Sequence, residues 1–183
     1  EPLQTQPRLL TQSSLRSLPR PLLVRLLASL TPAEKAAKAY DWTGFIARDD
    51  QLPPPGEWLY WMLCAGRGFG KTRTGAETVR QWIKEGLQHV NLIGATADDV
   101  RTIMVEGESG ILSICPDAEK PRYVANTRRL IWPNGAVSLL FSAEEPDRLR
   151  GKQHQALWAD EIASWRDPDT WDQALLGLRL GPR

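Results

Sequence analysis

The sequence predicts an α/β protein with a mostly parallel sheet and helices on both faces. Short apolar runs alternate with amphipathic stretches over the second two thirds of the chain, in the order strand, helix, strand, helix. One apolar run leads directly into a glycine-rich loop, a frequent connection between a parallel strand and its helix. The 183 residues, 42% of them hydrophobic, are sufficient for one sizeable core.

The N-terminal part of the chain is predicted to be less regular. Residues 1–30 begin with a stretch rich in Gln, Ser, Pro and Arg, and we interpret them as a poorly ordered or helical arm. Thr31 and Glu34 form a capping box, which predicts a helix through about Tyr40. We therefore expect the main domain to occupy residues 31–183.

After the helix through about Tyr40, the first half of the main domain is predicted to contain two strands and two further helices. Residues 58–64 predict an apolar strand, and residues 71–85 predict a helix that ends at Gly86. Residues 89–93 predict the next strand. Thr96 is a suitable N-cap for the helix that follows.

The second half is predicted to add a hairpin, a strand and a helix. Residues 129–132 and 136–142 flank the turn Pro-Asn-Gly, which favours a hairpin. Residues 156–161, ALWADE, predict a buried parallel strand that ends in two carboxylates. Residues 167–178 predict the last helix.

Charge and cysteine usage exclude several classes of protein. The chain has 23 basic and 22 acidic residues, so no global basic field indicates a nucleic-acid binder. No apolar run approaches the roughly 18 residues of a membrane span, and we expect no membrane partner. Cys64 and Cys115 have no metal-site spacing, and Cys64 is expected to be a buried, inert thiol in a reducing compartment.

The glycine-rich loop has the pattern A-x-x-x-x-G-K-T, which is typical of a nucleotide-binding P-loop. Its glycines allow successive backbone N–H groups to surround phosphate oxygens, while Lys71 reaches them as a point charge. A dinucleotide-binding loop requires a third glycine where Lys71 stands, so that alternative fails. The predicted nucleotide-binding residues of the loop are Ala65, Gly66, Arg67, Gly68, Phe69, Gly70, Lys71 and Thr72.

The two carboxylates that end the ALWADE strand complement this loop. Together with the hydroxyl of Thr72, Asp160 is expected to hold Mg²⁺, and Glu161 to orient and deprotonate the attacking water. Apolar strands that end in acidic residues are common, and many end in solvated turns. Because Asp160 and Glu161 lie downstream of a P-loop, the sequence favours an ATPase with ATP and Mg²⁺ at its site.

These motifs resemble the ATPase domain of the large terminase subunit, the DNA-packaging motor of tailed phages and of phage-derived gene transfer agents. The resemblance extends from about Asp41 to the C-terminus. It rests on QLPPPGEW, AGRGFGKTRTGAE, GATADDVR, RLRGKQH and LWADEIASW, in this order. It implies an ATP-driven homo-oligomeric ring in the host cytoplasm that pushes double-stranded DNA through the capsid portal. It also implies a portal protein and a small terminase subunit as partners.

The resemblance gives three further residues a role at the active site, in addition to the catalytic Lys71 and Glu161. Arg67 matches a loop arginine that senses the γ-phosphate, with a solvent-facing loop residue as the alternative. Gln51 resembles a glutamine that reads adenine, although such a residue in a loop is common. Arg150 matches an arginine that a neighbouring subunit inserts into the active site, and a surface salt bridge is an equal alternative.

The resemblance also predicts an incomplete domain. Terminases belong to the additional-strand class of P-loop ATPases, in which a strand after ALWADE inserts beside the P-loop strand, and a nuclease domain follows. No segment after Leu178 supplies either. We therefore expect this chain to be a segment of a longer protein. Residues 58–64 should lack a parallel partner, and the isolated chain should be poorly soluble and inactive.

Two other functions remain open from the sequence alone. One is a different P-loop DNA translocase or a helicase, which shares the loop and the Asp-Glu pair. The other is a non-hydrolysing assembly fragment that docks onto a small terminase or a portal without turnover. ATPase measurements with and without DNA discriminate among them.

Overall fold

A computed structural model describes Leu15 and residues 18–180 of the chain. The chain divides into two compact units, Glu1–Ala65 and Gly66–Arg183. Much of the predicted arm, residues 1–14, 16 and 17, lies outside the described residues. The division into an arm and a main domain stays a prediction.

The first unit is built from short helices. Helix α1 spans Arg20–Ser29 and helix α2 spans Pro32–Ala39. The predicted capping box starts α2. The Thr31 hydroxyl accepts the Glu34 N–H at 3.2 Å, and the Glu34 carboxylate accepts the Thr31 N–H at 2.8 Å. A π-helical turn at Trp42–Ile46 follows.

The strand predicted for residues 58–64 is wrong. This segment has no regular secondary structure, and the exposed fractions of Leu59 and Met62 are 64% and 79%. Cys64 is exposed, so the expected buried thiol is also wrong. A strand requires a neighbour for its backbone N–H and C=O groups, and no strand of the described residues pairs with this segment.

The second unit contains a five-stranded sheet in the order β2-β3-β4-β1-β5. Strand β1 is parallel to both β4 and β5, whereas β3 is antiparallel to β2 and β4. Four of the five strands therefore run in one direction, which confirms the predicted mostly parallel sheet. The strands are β1 Val90–Gly94, β2 Arg122–Val124, β3 Arg129–Ile131, β4 Val137–Ser142 and β5 Ala156–Ala159.

In the described part of this unit, four α-helices accompany the sheet. The longest, α3, begins directly after the glycine-rich loop and stops before Gly86, whose φ of 101° suits glycine. The helices are α3 Lys71–Lys84, α4 Ala97–Asp99 with its π-helical continuation Val100–Val105, α5 Ile111–Ile114 and α6 Asp169–Leu176. No helix within the described residues has the length and apolar character to cross a bilayer.

The alternation of side chains along β1 places one core on each face of the sheet. On one face, Leu92 packs in a cluster with Ala76 and Val79 of α3. On the other face, Ile93 packs in a cluster with Ala174 of α6. The prediction of helices on both faces is therefore confirmed. The chain directly after β5 reaches the start of α3, where Glu161 lies 3.8 Å from Lys71.

Candidate active site

The glycine-rich loop is held open by left-handed backbone at two glycines. Gly68 has a φ of 78° and Gly70 a φ of 91°, conformations that residues with a Cβ adopt only at a cost. A Cβ added to Gly66 or Gly68 meets no atom within 4 Å. The backbone of the loop thus borders open space, as a phosphate-binding loop requires.

Helix α3 starts immediately behind this space. Gly70 is its N-cap and accepts the N–H of Thr74 at 2.9 Å, which fixes the first turn. Lys71 and Thr72 lie in that turn and are half-buried. The N–H groups of the first turn and the positive end of the helix dipole face the loop, so the site favours an anion.

The sheet carries Asp160 to the site by extending the ladder between β5 and β1. Ala159 is paired with Ile93, and the N–H of Asp160 donates to the carbonyl of Ile93 at 2.9 Å. The indole N–H of Trp165 donates to the carbonyl of Asp160 at 3.0 Å. Glu161 then turns the chain with a φ of 48°, a strained conformation for a residue other than glycine.

The two motifs meet in the folded chain. The Nζ atom of Lys71 lies 3.8 Å from the Oε1 atom of Glu161, whose side chain is 61% exposed. Burial raises the pKa of the Asp160 carboxyl. The charge of Glu161 raises this pKa further and that of Lys71 lowers it, while Asp99 adds a smaller increase. The site therefore combines one solvated carboxylate with one that is partly desolvated.

The side chains present suit a magnesium ion. Thr72 offers a hydroxyl and Asp160 a carboxylate, and both are the hard oxygen donors that Mg²⁺ prefers. The raised pKa of Asp160 fits a carboxyl that gains a cation when ligand arrives, because the cation compensates for the lost solvation. The assignment of these two residues to a metal stays a prediction.

The three other candidate residues lie in different environments. Arg67 is exposed in the loop. Arg150 is exposed, and its Nε lies 3.1 Å from Asp147, which is the ion pair considered as its alternative interpretation. Gln51, in the first unit, is 4% exposed and accepts the N–H of Arg48 at 3.1 Å. Their roles at the active site stay predictions.

The sequence patterns give no site role to Gly75 of α3 or to Trp158 of β5. Gly75 lies in the interior of α3, against the ring of Trp158. The signal for Gly75 was present, because glycine in a helix interior is unfavourable and usually has a packing reason. No signal in the sequence indicated Trp158 as the partner of Gly75, since that contact depends on the folded arrangement.

Comparison with known proteins identifies the family. Residues 62–181 match the family described as terminase large subunit, T4likevirus-type, N-terminal. The solved ATPase domain of the large terminase of Thermus phage P74-26 is similar at 21% identity with a TM-score of 0.49. This similarity covers 62% of the chain and 51% of the phage domain, so the chain matches about half the length of that domain. No curated protein matches the chain. Because the family match covers well over half of its residues, the chain belongs to the family of terminase large subunit N-terminal regions.

Proposed function

We propose that this chain is the ATP-binding and ATP-hydrolysing motor part of a large terminase, which drives double-stranded DNA into a capsid. The supporting observation is the distance of 3.8 Å between Lys71 Nζ and Glu161 Oε1 in a chain of the terminase family. A phosphate-binding lysine and an acidic residue that can serve as a base lie at one site. Family membership disfavours the helicase alternative.

Each side chain has a distinct part in the proposed reaction. In the structure, Lys71 and Glu161 partly neutralise each other. A triphosphate in the loop competes for Lys71, and this frees the exposed Glu161 carboxylate to orient and deprotonate a water molecule. Thr72 and Asp160 would hold Mg²⁺, which supplies positive charge to the phosphate oxygens when it is bound.

The remaining roles follow from the family and extend beyond a single subunit. Arg67 is proposed to sense the γ-phosphate and Gln51 to contact adenine. Arg150 is proposed to reach the site of a neighbouring subunit in a ring on the portal, and its exposed side chain is accessible for that role. The small terminase subunit is the proposed partner for DNA selection, and the host cytoplasm is the proposed location.

Two substitutions in the native protein test the proposed chemistry. Glu161→Gln should leave ATP binding nearly intact and lower turnover by several orders of magnitude, because the base is lost and the phosphate contacts remain. Lys71→Ala should lose both binding and turnover. Nucleotide binding and steady-state ATPase are measured with and without double-stranded DNA.

A matched control is Glu85→Gln, which changes an exposed glutamate just after the far end of α3. Its turnover should equal that of the parent protein. Equal turnover by Glu161→Gln and the parent contradicts the assignment of the base. ATP binding by the parent without turnover, in the presence and absence of DNA, favours the non-hydrolysing assembly fragment instead.

A further inference from the structure

Gly75 provides an unusually close contact between α3 and the sheet. An ideal Cβ built on Gly75 lies 2.2 Å from Cε2 and 2.4 Å from Nε1 of Trp158. Real Cβ atoms do not approach other heavy atoms so closely, so only glycine fits at this position. Glycine has a low helix propensity, and the approach of the indole ring accounts for its presence in the middle of α3.

Trp158 is fixed on its own side of the contact. It lies in β5 opposite Leu92 of β1, and it is only 9% exposed. Its ring belongs to the same core cluster as Ala76 and Val79 of α3. The ring cannot move away from Gly75 without disturbing this packed core.

The contact between Gly75 and Trp158 lies close to the active site on both elements, one helical turn away along α3 and two residues away along the chain of β5. Gly75 follows Lys71 by four residues, so both lie on one face of α3 and are separated by about 6 Å along the helix axis. Trp158 precedes Asp160, the residue directly after β5, by two residues, and in extended backbone this spacing places both on one face of the sheet, about 6.6 Å apart. The two spacings match. A ring seated on Gly75 therefore places the end of β5 beside the first turn of α3.

We propose that Gly75 and Trp158 form a positioning pair that sets the register between the phosphate-binding helix and the acidic end of β5. This inference deepens the proposed ATPase function and rests on it. Trp158 acts through Asp160 and Glu161, while Gly75 acts through Lys71 and Thr72. A methyl group at residue 75 starts 2.2 Å from Cε2 of Trp158, so it must displace the helix or the ring by about 1.5 Å to reach normal van der Waals separation.

The central variant is Gly75→Ala in the native protein. A displacement of about 1 Å at an active site can lower a rate about 100-fold, so kcat should fall by about 10- to 100-fold. The Mg²⁺ concentration for half-maximal turnover should rise, because the displacement changes the separation of Asp160 and Thr72, the proposed Mg²⁺ ligands. Binding of ADP without Mg²⁺ should be unchanged, since the loop itself is intact. Loss of helix propensity cannot explain such a result, because alanine favours a helix more than glycine does.

A second-site substitution makes the test specific. In the double variant Gly75→Ala with Trp158→Leu, the smaller side chain leaves room for the methyl group. This variant should recover part of the kcat and of the Mg²⁺ dependence that Gly75→Ala loses. Gln81→Ala, a change to alanine elsewhere on α3, is the control and should behave as the parent.

The inference and the proposed function fail in different ways. Parental kcat and Mg²⁺ dependence in Gly75→Ala overturn the positioning pair and leave the ATPase assignment intact. A parent that neither binds nor hydrolyses ATP overturns the assignment. The register is then tested by a crystal structure of Gly75→Ala, in which a Lys71 to Glu161 distance unchanged from 3.8 Å overturns the pair. If Gly75→Ala does not fold, Trp158→Phe replaces it, and an unchanged Mg²⁺ dependence in that variant overturns the pair.

Discussion

The two motifs of the active site differ in how the residues before them are held. The acidic motif follows β5, whose four residues are all in register with β1. The glycine-rich loop follows residues 58–64, which are equally apolar in sequence but are mostly exposed and belong to no strand. The comparison shows that an apolar run becomes a strand only where another strand pairs with its backbone.

The loop and α3 form without a paired strand before them because their determinants are local. The left-handed conformations of Gly68 and Gly70 are properties of single residues. The bond from Thr74 to Gly70 closes within one helical turn. A strand has no such local bonds, so its existence depends on residues far away in the sequence.

The largest expected difference between the two regions is in their contribution to stability. Leu92→Ala in β1 removes a side chain with 0% exposure, and such changes cost about 2 to 5 kcal/mol. Leu59→Ala changes a leucine that is 64% exposed, and its effect should stay within about 0.5 kcal/mol. The free energy of unfolding in urea provides the measurement.

A large loss of stability in Leu59→Ala contradicts this expectation. It indicates that residues 58–64 are packed in the native protein, which restores the strand predicted from the sequence. A small effect in both variants contradicts the assignment of Leu92 to the core. The pair of leucines thus tests the sheet and the exposed segment under identical conditions.

The features predicted correctly from the sequence depend on short-range rules. The capping box of Thr31 and Glu34, the helix end at Gly86 and the hairpin around Asn134 each require only neighbouring residues. The loop and the Asp-Glu pair were expected to form one site, and Lys71 lies 3.8 Å from Glu161 although no strand of the described residues precedes the loop. The contact between Gly75 and Trp158 was not predictable, since it joins distant residues through three-dimensional packing.

A smaller effect is expected from pH at the start of β5. His154 is 1% exposed, its Nδ1 lies 3.2 Å from the Asn91 amide, and its backbone N–H donates to Gly177. Burial lowers the pKa of His154 from 6.5 to about 4. The unfolded chain therefore takes up the proton first as pH falls. Stability should decrease between about pH 6.5 and pH 4, by about 3 kcal/mol at most.

The histidine effect is checked by urea unfolding at a series of pH values. His154→Gln should remove the decrease in the upper part of this range, between about pH 6.5 and pH 5. The carboxyls whose pKa is lowered in the folded chain, Glu34, Glu119 and Glu145, take up protons on unfolding only at lower pH. His89→Gln changes an exposed histidine and should leave the decrease in place. A decrease between about pH 6.5 and pH 5 that persists in His154→Gln shows that another group is responsible.

The smallest effect on stability, and the most direct test of the comparison, comes from the two cysteines. Cys64 is exposed in the segment before the loop, whereas Cys115 is 2% exposed and burial raises its pKa to about 12. Because the thiolate is the reactive form, iodoacetamide should modify Cys64 in the folded protein and Cys115 only after unfolding. Mass spectrometry with and without denaturant resolves the two sites, and Cys64→Ser identifies the faster one.

Modification of Cys64 should change the free energy of unfolding by less than about 0.5 kcal/mol, as for other exposed positions. Protection of Cys64 in the folded protein contradicts the exposed state and requires that the segment before the loop pair with another strand.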